Sequence, residues 1–317
     1  MKVSAESARF FVVYFGSNPK GNLMFKKIII GMFGVLILFG GITMAFYPFI
    51  SNYLMNLNHT SEIAQQEKVV DNTDDETIRT AFKDAKKYNK NLVGVSTVAD
   101  PFAPDFEPIA DLDDKNLLNL NKDSIMGNVE IPKIGVNVPI YHGTSQEVLL
   151  RGAGHLTNTS LPIGGKSTHS VITGHTGVSN ASLFTDLDKL IVGDMFFIRV
   201  LGRTLAYEVD QIKVVRPTQK RDLLIEDGKD YVTLITCTPY GVNSHRLLVR
   251  GKRVLYKEDE IDEIRNNTEA VESTWMAEYK RALIIGATVL IVIIVIFIAL
   301  RILFFRRRKK KAINDTN

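Results

Sequence analysis

Two apolar segments, one near each end of the 317-residue chain, constrain its architecture more than any other feature. The first, residues 28–48, follows Lys26 and Lys27 and runs from Ile28 to about Tyr47, with Pro48 just after. The second, residues 281–305, has its apolar core between Ala282 and Leu300 and then meets Arg301. Each is close to the ~20 residues that cross ~30 Å of hydrocarbon. The first is longer than the ~7–15 apolar residues of a signal peptide, and no small-x-small cleavage site follows it. It therefore reads as an uncleaved anchor. Arg301 can snorkel to the headgroups. About 230 residues lie between the spans, ample for a core.

Charge orients such a chain. The formal net charge is +4, from 39 basic and 35 acidic residues. Residues 1–27 hold five basic residues against one acidic, and residues 301–317 hold seven against one. That leaves 27 basic and 33 acidic residues to the middle, a balance of −6. The positive-inside rule then predicts a two-pass cell-membrane protein with both tails cytoplasmic and the middle extracytoplasmic. Juxtamembrane basic residues contact lipid, so the positive balance does not predict a nucleic-acid partner. Met24-Phe25-Lys26-Lys27 reads as an ordinary cytoplasmic start, whereas residues 1–23 show no helical period. Met24 is thus the expected point of initiation.

Between the spans the texture changes along the chain. Residues 49–92 are polar and predict two amphipathic helices, one carrying Tyr53, Leu57 and Ile63, the other Ile78, Phe82, Ala85 and Tyr88. Thr73-Asp74-Asp75-Glu76 marks the start of the second. Residues 93–110 form a loop with three prolines, among them Pro101 in Asp100-Pro101-Phe102, and with Gly94 as a possible hinge. Residues 120–256 break into short β-branched runs at 127–131, 136–140, 170–173, 195–200, 204–215, 231–236 and 246–254. Helical pattern returns only near 146–150 and 182–190. Many short strands divided by turns predict a mainly β fold, a closed or nearly closed barrel. Residues 257–280 are a charged, partly helical spacer, and 306–317 a basic tail.

The single cysteine, Cys237, ends the run Thr233-Leu234-Ile235-Thr236, and Pro239 and Gly241 follow it. That pattern places the sulfur at a strand end beside an open loop. A lone extracytoplasmic thiol cannot form an intramolecular disulfide. A hairpin through residues 241–245 would return Arg246 beside it, and a nearby cation lowers a thiol pKa. A cysteine nucleophile also needs a proton partner. The six histidines are His59, His142, His155, His169, His175 and His245. His59 belongs to the helical region, and His245 faces away if Arg246 faces Cys237. His175 ends Val171-Ile172-Thr173-Gly174 and precedes Gly177, which favours it only modestly over His142 and His169.

Residues 233–246, Thr-Leu-Ile-Thr-Cys-Thr-Pro-Tyr-Gly-Val-Asn-Ser-His-Arg, resemble the active-site signature of sortases, membrane-bound cysteine transpeptidases of Gram-positive bacteria. The resemblance is to class C, the pilus-polymerising group. It extends through Leu161-Pro162-Ile163-Gly164-Gly165, Thr168-His169-Ser170-Val171-Ile172-Thr173-Gly174-His175 and Leu183-Phe184-Thr185-Asp186-Leu187. The second span and Asp100-Pro101-Phe102, similar to the lid of these enzymes, belong to the same pattern. Thr176 departs from it, since relatives often carry arginine there. The resemblance implies an eight-stranded sortase barrel with Cys237 as nucleophile, His175 as general acid/base and Arg246 as oxyanion or substrate stabiliser. It implies a lid in which Phe102 covers the sulfur and Asp100 pairs with Arg246.

The expected reaction cleaves a Leu-Pro-x-Thr-Gly-like sorting signal between Thr and Gly through a thioester. The acyl group passes to a lysine amine of the next pilin. The expected partners are thus pilins or surface proteins bearing such a signal, together with membrane lipid. No cofactor and no metal are expected, and Asp186 and Asp188 are assigned to a short helix rather than to calcium. Three other readings remain: a housekeeping sortase that uses peptidoglycan as acceptor, an L,D-transpeptidase, and a membrane-tethered binding module. In L,D-transpeptidases the arginine tends to follow the cysteine closely, whereas Arg246 lies nine residues on.

Overall fold

The computed structural model describes residues 19–92, 100–102, 114, 116–177 and 183–314. Gly94, Pro104 and Pro108 of the proline-rich loop, and residues 1–18 of the N-terminal tail, lie outside them. The chain divides into two compact units, Met1–Ile50 and Ser51–Asn317.

Eight strands close a barrel: β1 (Ile125–Ile131), β2 (Val136–His142), β3 (Ala153–His155), β4 (Thr168–Thr173), β5 (Met195–Val200), β6 (Arg203–Val215), β7 (Asp230–Thr238) and β8 (His245–Val254). Their order around it is β1-β2-β3-β4-β7-β8-β6-β5. The β2/β3 and β4/β7 pairs are parallel and the remainder antiparallel. Closure leaves no free sheet edge among these strands. The interior is filled by Val129, Ile131, Ile140, Ile172, Phe196, Ile198, Tyr207, Val232, Leu234 and Val249, all under 2 % exposed. Phe196 stacks on Tyr207 with ring centroids 5.5 Å apart. Gly251 makes room for that stack, because a Cβ there would lie 2.4 Å from the Phe196 ring.

The expected runs become strands within a few residues, and β3 is an addition. Its three residues, Ala153-Gly154-His155, carry no β pattern. They are extended because both neighbours hold them, β2 in parallel and β4 antiparallel. Of the helix expected at 182–190, residues 183–190 are instead a set of turns with one 3-10 turn, Leu187–Lys189, and Ser182 lies outside the described residues. Phe184, Leu187 and Leu190 are all buried, and a spacing of three suits a geometry in which every third side chain eclipses. Asp186 pairs with Lys189 at 3.2 Å and its side chain makes no cap bond.

Pro48 does not end a helix. Helix α1 (Pro19–Asp71) runs through it, so the first expected amphipathic helix is the continuation of the apolar one. An interior proline removes one hydrogen bond at a cost of about 3 kcal/mol. Burial of His59, Ile63 and Gln66 offsets that cost. Helix α1 also includes residues 19–23, where the sequence shows no period.

Helix α2 (Asp75–Asn91) starts where expected, with Asp74 accepting from the Thr77 backbone N–H at 2.9 Å. Its buried face is Phe82, Ala85, Tyr88 and Asn89. Asn89 clamps the barrel, donating to the Leu161 carbonyl (3.0 Å) and accepting from its N–H (2.7 Å). Helix α3 (Gln146–Arg151) links β2 to β3, α4 (Glu258–Asn267) follows the barrel, and α5 (Thr274–Asn314) closes the described chain. Both α1 and α5 contain windows long and apolar enough to cross a membrane, with none of either window buried. These two apolar helices fit membrane anchoring.

Candidate active site

Two pieces of strand register build the site. Antiparallel β7 and β8 pair Cys237 directly with Arg246, and Thr238 with His245. Adjacent residues face opposite sides of a strand, so His245 is turned from the thiol and bonds Ser244 Oγ at 2.9 Å. Parallel β4 and β7 pair Thr173 with Ile235. His175 and Cys237 each lie two residues further along, which brings imidazole and thiol to the same level at one end of the barrel. The turn between is fixed by Gly174 N–H to the Ile235 carbonyl (3.0 Å) and by Thr236 Oγ1 donating to the Gly174 carbonyl (2.7 Å).

Cys237, His175 and Arg246 line one cavity of about 500 Å³, with Pro101, Phe102, Thr144, Gln146 and Asn243. Arg246 donates from Nε to Asp100 Oδ1 (2.9 Å) and from Nη2 to Oδ2 (2.7 Å). Its Nη1 donates to the carbonyls of Asn243 (3.0 Å) and His245 (3.1 Å). Its guanidinium carbon sits 5.0 Å from the Phe102 ring centroid. The Phe102 ring lies 5.7 Å from that of His175. Phe102 also packs on the apolar cluster of Leu156, Val171, Ile235 and Leu248. The Asp100-Pro101-Phe102 segment thus occupies the space beside the thiol.

Burial sets the charge state. It pushes the Cys237 thiol above its ordinary value; the Arg246 cation opposes this and the Asp100 carboxylate adds to it. Burial also lowers the His175 imidazole, whose Nε2 has no hydrogen-bond partner among the described residues. Both shifts favour the neutral thiol and neutral imidazole while Phe102 is in place.

The other histidines are committed elsewhere. His169 is wholly buried, with Nδ1 at 2.9 Å from the Leu224 carbonyl and Nε2 at 2.7 Å from Thr233 Oγ1. His155 Nδ1 lies 3.4 Å from Asp114, and its Nε2 3.0 Å from the Ser160 carbonyl. His142 is its buried register partner on β2. His59 Nε2 is 2.6 Å from the Arg151 carbonyl. Sequence reading missed Thr144, Gln146 and Asn243 as cavity lining and Asp114 as a buried carboxylate. No local pattern marks any of them. No group of three or more His, Cys, Asp or Glu placed to hold a metal occurs among the described residues.

A closed eight-stranded barrel with a thiol, an imidazole and a guanidinium converging at one end has the groups that cysteine-dependent acyl chemistry uses. Comparison with known proteins narrows this. Residues 129–254 match the sortase domain. Sortase A of Bacillus anthracis is 26 % identical over 231 residues, 73 % of this chain and 97 % of its own length. Among solved structures, sortase C-1 from Streptococcus pneumoniae is 46 % identical with a TM-score of 0.57, over 62 % of this chain and all of that one. Sortase C-1 from Actinomyces oris is 48 % identical with a TM-score of 0.54, over 57 % and 99 %. The pilus-related sortase C of Group B Streptococcus is 46 % identical with a TM-score of 0.55, over 60 % and 96 %. The chain belongs to the sortase family, and it resembles the class C members more strongly than sortase A. Sortases are cysteine transpeptidases that act on surface proteins carrying sorting signals.

Proposed function

We propose that this sortase polymerises pilins, with Cys237 as nucleophile, His175 as general acid/base and Arg246 as oxyanion stabiliser. The observation that carries the assignment is the double register, Cys237 against Arg246 and Thr173 against Ile235, which gathers the three groups at one end of three neighbouring strands. The Cys237 thiolate attacks the Thr–Gly carbonyl of a Leu-Pro-x-Thr-Gly-like signal. The tetrahedral oxyanion is met by guanidinium donors whose charge does not depend on pH. Collapse needs a proton on the departing glycine amine, which the His175 imidazolium supplies. The neutral imidazole then accepts a proton from a lysine ammonium of the next pilin. That amine attacks the thioester, its second proton passes to solvent, and the isopeptide bond forms as the thiolate leaves beside the regenerated imidazolium.

On this reading residues 93–110 are a lid. Asp100 holds the cation the reaction needs, and Phe102 blocks the imidazole, so acyl donor binding requires the segment to leave. Residues 49–92 brace the barrel, and 257–280 connect it to the second span. The charge asymmetry supports cytoplasmic tails and an extracytoplasmic barrel.

The test is expression of variants beside a pilin substrate. Cys237→Ala should abolish high-molecular-weight pilin ladders while the protein still folds and inserts. His175→Ala should lose about 2–4 orders of magnitude in rate. Arg246→Lys keeps the charge but loses the planar fork, and should also fail. Undiminished ladders from Cys237→Ala would sink the assignment. Transfer to cell-wall peptide instead of pilin lysine would make the enzyme a housekeeping sortase.

A further inference from the structure

The segment that leads from the barrel into α5 is not a loose tether. The Val271 N–H donates to the Lys133 carbonyl at 2.7 Å, just after β1. Lys189 Nζ donates to the Glu272 carbonyl at 2.6 Å, just before β5. Trp275, in the first turn of α5, lies within hydrogen-bonding reach of the Tyr240 hydroxyl on the β7–β8 loop. Three separated parts of the barrel therefore grip residues 271–275, which fixes how α5 leaves it.

The third attachment touches the active-site rim. Tyr240 is three residues past Cys237. A Cβ on Gly177, two residues past His175, would lie 3.1 Å from the Tyr240 ring. Both loops that carry the thiol and the imidazole thus converge on a side chain in contact with the start of α5. Next to it, Val242 is 69 % exposed, and Tyr240 is 50 % exposed. A lone exposed valine is ordinary. This one stands on a loop tied to an apolar helix.

Distance along α5 gives the level. The apolar run begins at Ala282, seven residues after Trp275, or about 10 Å at 1.5 Å per residue. The polar headgroup layer extends roughly 5–8 Å beyond the hydrocarbon on each side. Trp275 therefore lies at the outer edge of that layer, and Tyr279, on which it stacks at 5.8 Å, lies inside it at about 5 Å, where aromatic residues are enriched; Lys280 and Arg281 follow.

We infer that the rim of the thiol cleft, Tyr240 and Val242, rests against the headgroup layer of the membrane, held there by the Trp275 contact and the strap at 271–272. The partner surface is lipid, and the inference rests on the reading of α5 as a membrane span. The cleft then opens at the membrane surface, so acyl donor and acceptor amine must both be presented at that height.

The test uses the full chain in phosphatidylcholine–phosphatidylglycerol vesicles. Val242→Cys in a Cys237→Ala background carries one bimane label, and quenching by headgroup spin-labelled lipid is measured. Lys229→Cys serves as the control, on the turn before β7 and about 25 Å from residue 237 along the strand. The expected result is quenching at 242 at least about 3-fold stronger than at 229, lowered when Trp275→Ala is added. Equal quenching at both positions in protein that resists carbonate extraction overturns the inference and leaves the span reading intact. Protein released by carbonate overturns both. Unchanged quenching with Trp275→Ala overturns the role of the contact. The background is inactive, so no outcome depends on the transpeptidase assignment.

Discussion

Arg246 and Asp100, 146 residues apart in the chain, meet fork to fork through two bonds of 2.9 and 2.7 Å, with both side chains largely buried. A guanidinium so engaged keeps a single Nη2 hydrogen for a developing oxyanion, and its charge is already offset by the carboxylate. The neighbouring Phe102 lies against the His175 ring. The contact therefore opposes the reaction proposed for the same cavity, and its removal has measurable consequences.

The double variant Asp100→Ala with Phe102→Ala should react faster with a small thiol reagent. Charge-assisted hydrogen bonds contribute about 1.5–3 kcal/mol, and each 1.4 kcal/mol of closing free energy is about tenfold in the open fraction. Alkylation of Cys237 should rise roughly 10- to 100-fold, sorting-signal peptide cleavage should rise with it, and the melting temperature should fall. Equal alkylation rates for wild type and variant would show that the segment is no lid.

The same contact shapes the pH dependence. Burial raises the Cys237 pKa, Arg246 lowers it and Asp100 raises it. Removing the carboxylate should move the midpoint of the alkylation rate–pH profile to lower pH, because the thiolate then faces an unneutralised cation. The profile of Asp100→Ala, recorded beside wild type, checks the sign. A midpoint that moves upward contradicts the electrostatic account.

His169 should make the fold acid-sensitive without taking part in chemistry. Burial lowers its pKa to about 4 from an ordinary 6.5, and nearby Arg250 acts in the same direction. The unfolded chain then binds the extra proton between those values. This contribution is fully present above pH 6.5 and is lost as pH falls towards 4, in all about 3 kcal/mol. His169→Gln should flatten the dependence of the urea midpoint on pH over that window, while peptide cleavage falls far less than in His175→Ala. A greater loss of cleavage in a folded His169 variant would reverse the choice of histidine.

Much of the barrel was legible because strand pairing is partly local. Cys237 and Arg246 are joined by a hairpin, and a nine-residue separation with turn residues between is enough to predict that they meet. The turn signals and β-branched runs likewise marked seven of the eight strands, and Thr73-Asp74 marked the start of α2. The strand-end pattern alone left His175 only modestly ahead of His142 and His169; the family resemblance made the choice. Asp100 and Phe102 were likewise connected to the site by resemblance.

What the sequence determined by itself is whatever depends on neighbours a few residues apart. That includes the apolar lengths of the two end helices, the charge of the tails, the alternation of strands and turns, and the hairpin that sets the thiol beside a cation. The tertiary structure decided what depends on pairing across long stretches of chain. Parallel β4 and β7, 62 residues apart in register, bring His175 level with Cys237. β3 is extended only because two strands claim it, and α1 continues through Pro48 into residues buried by later packing. The physical reason is the same throughout. Local periodicity shows which face of a segment avoids water, but the partner that covers it is chosen only when the barrel closes and every strand must satisfy both edges.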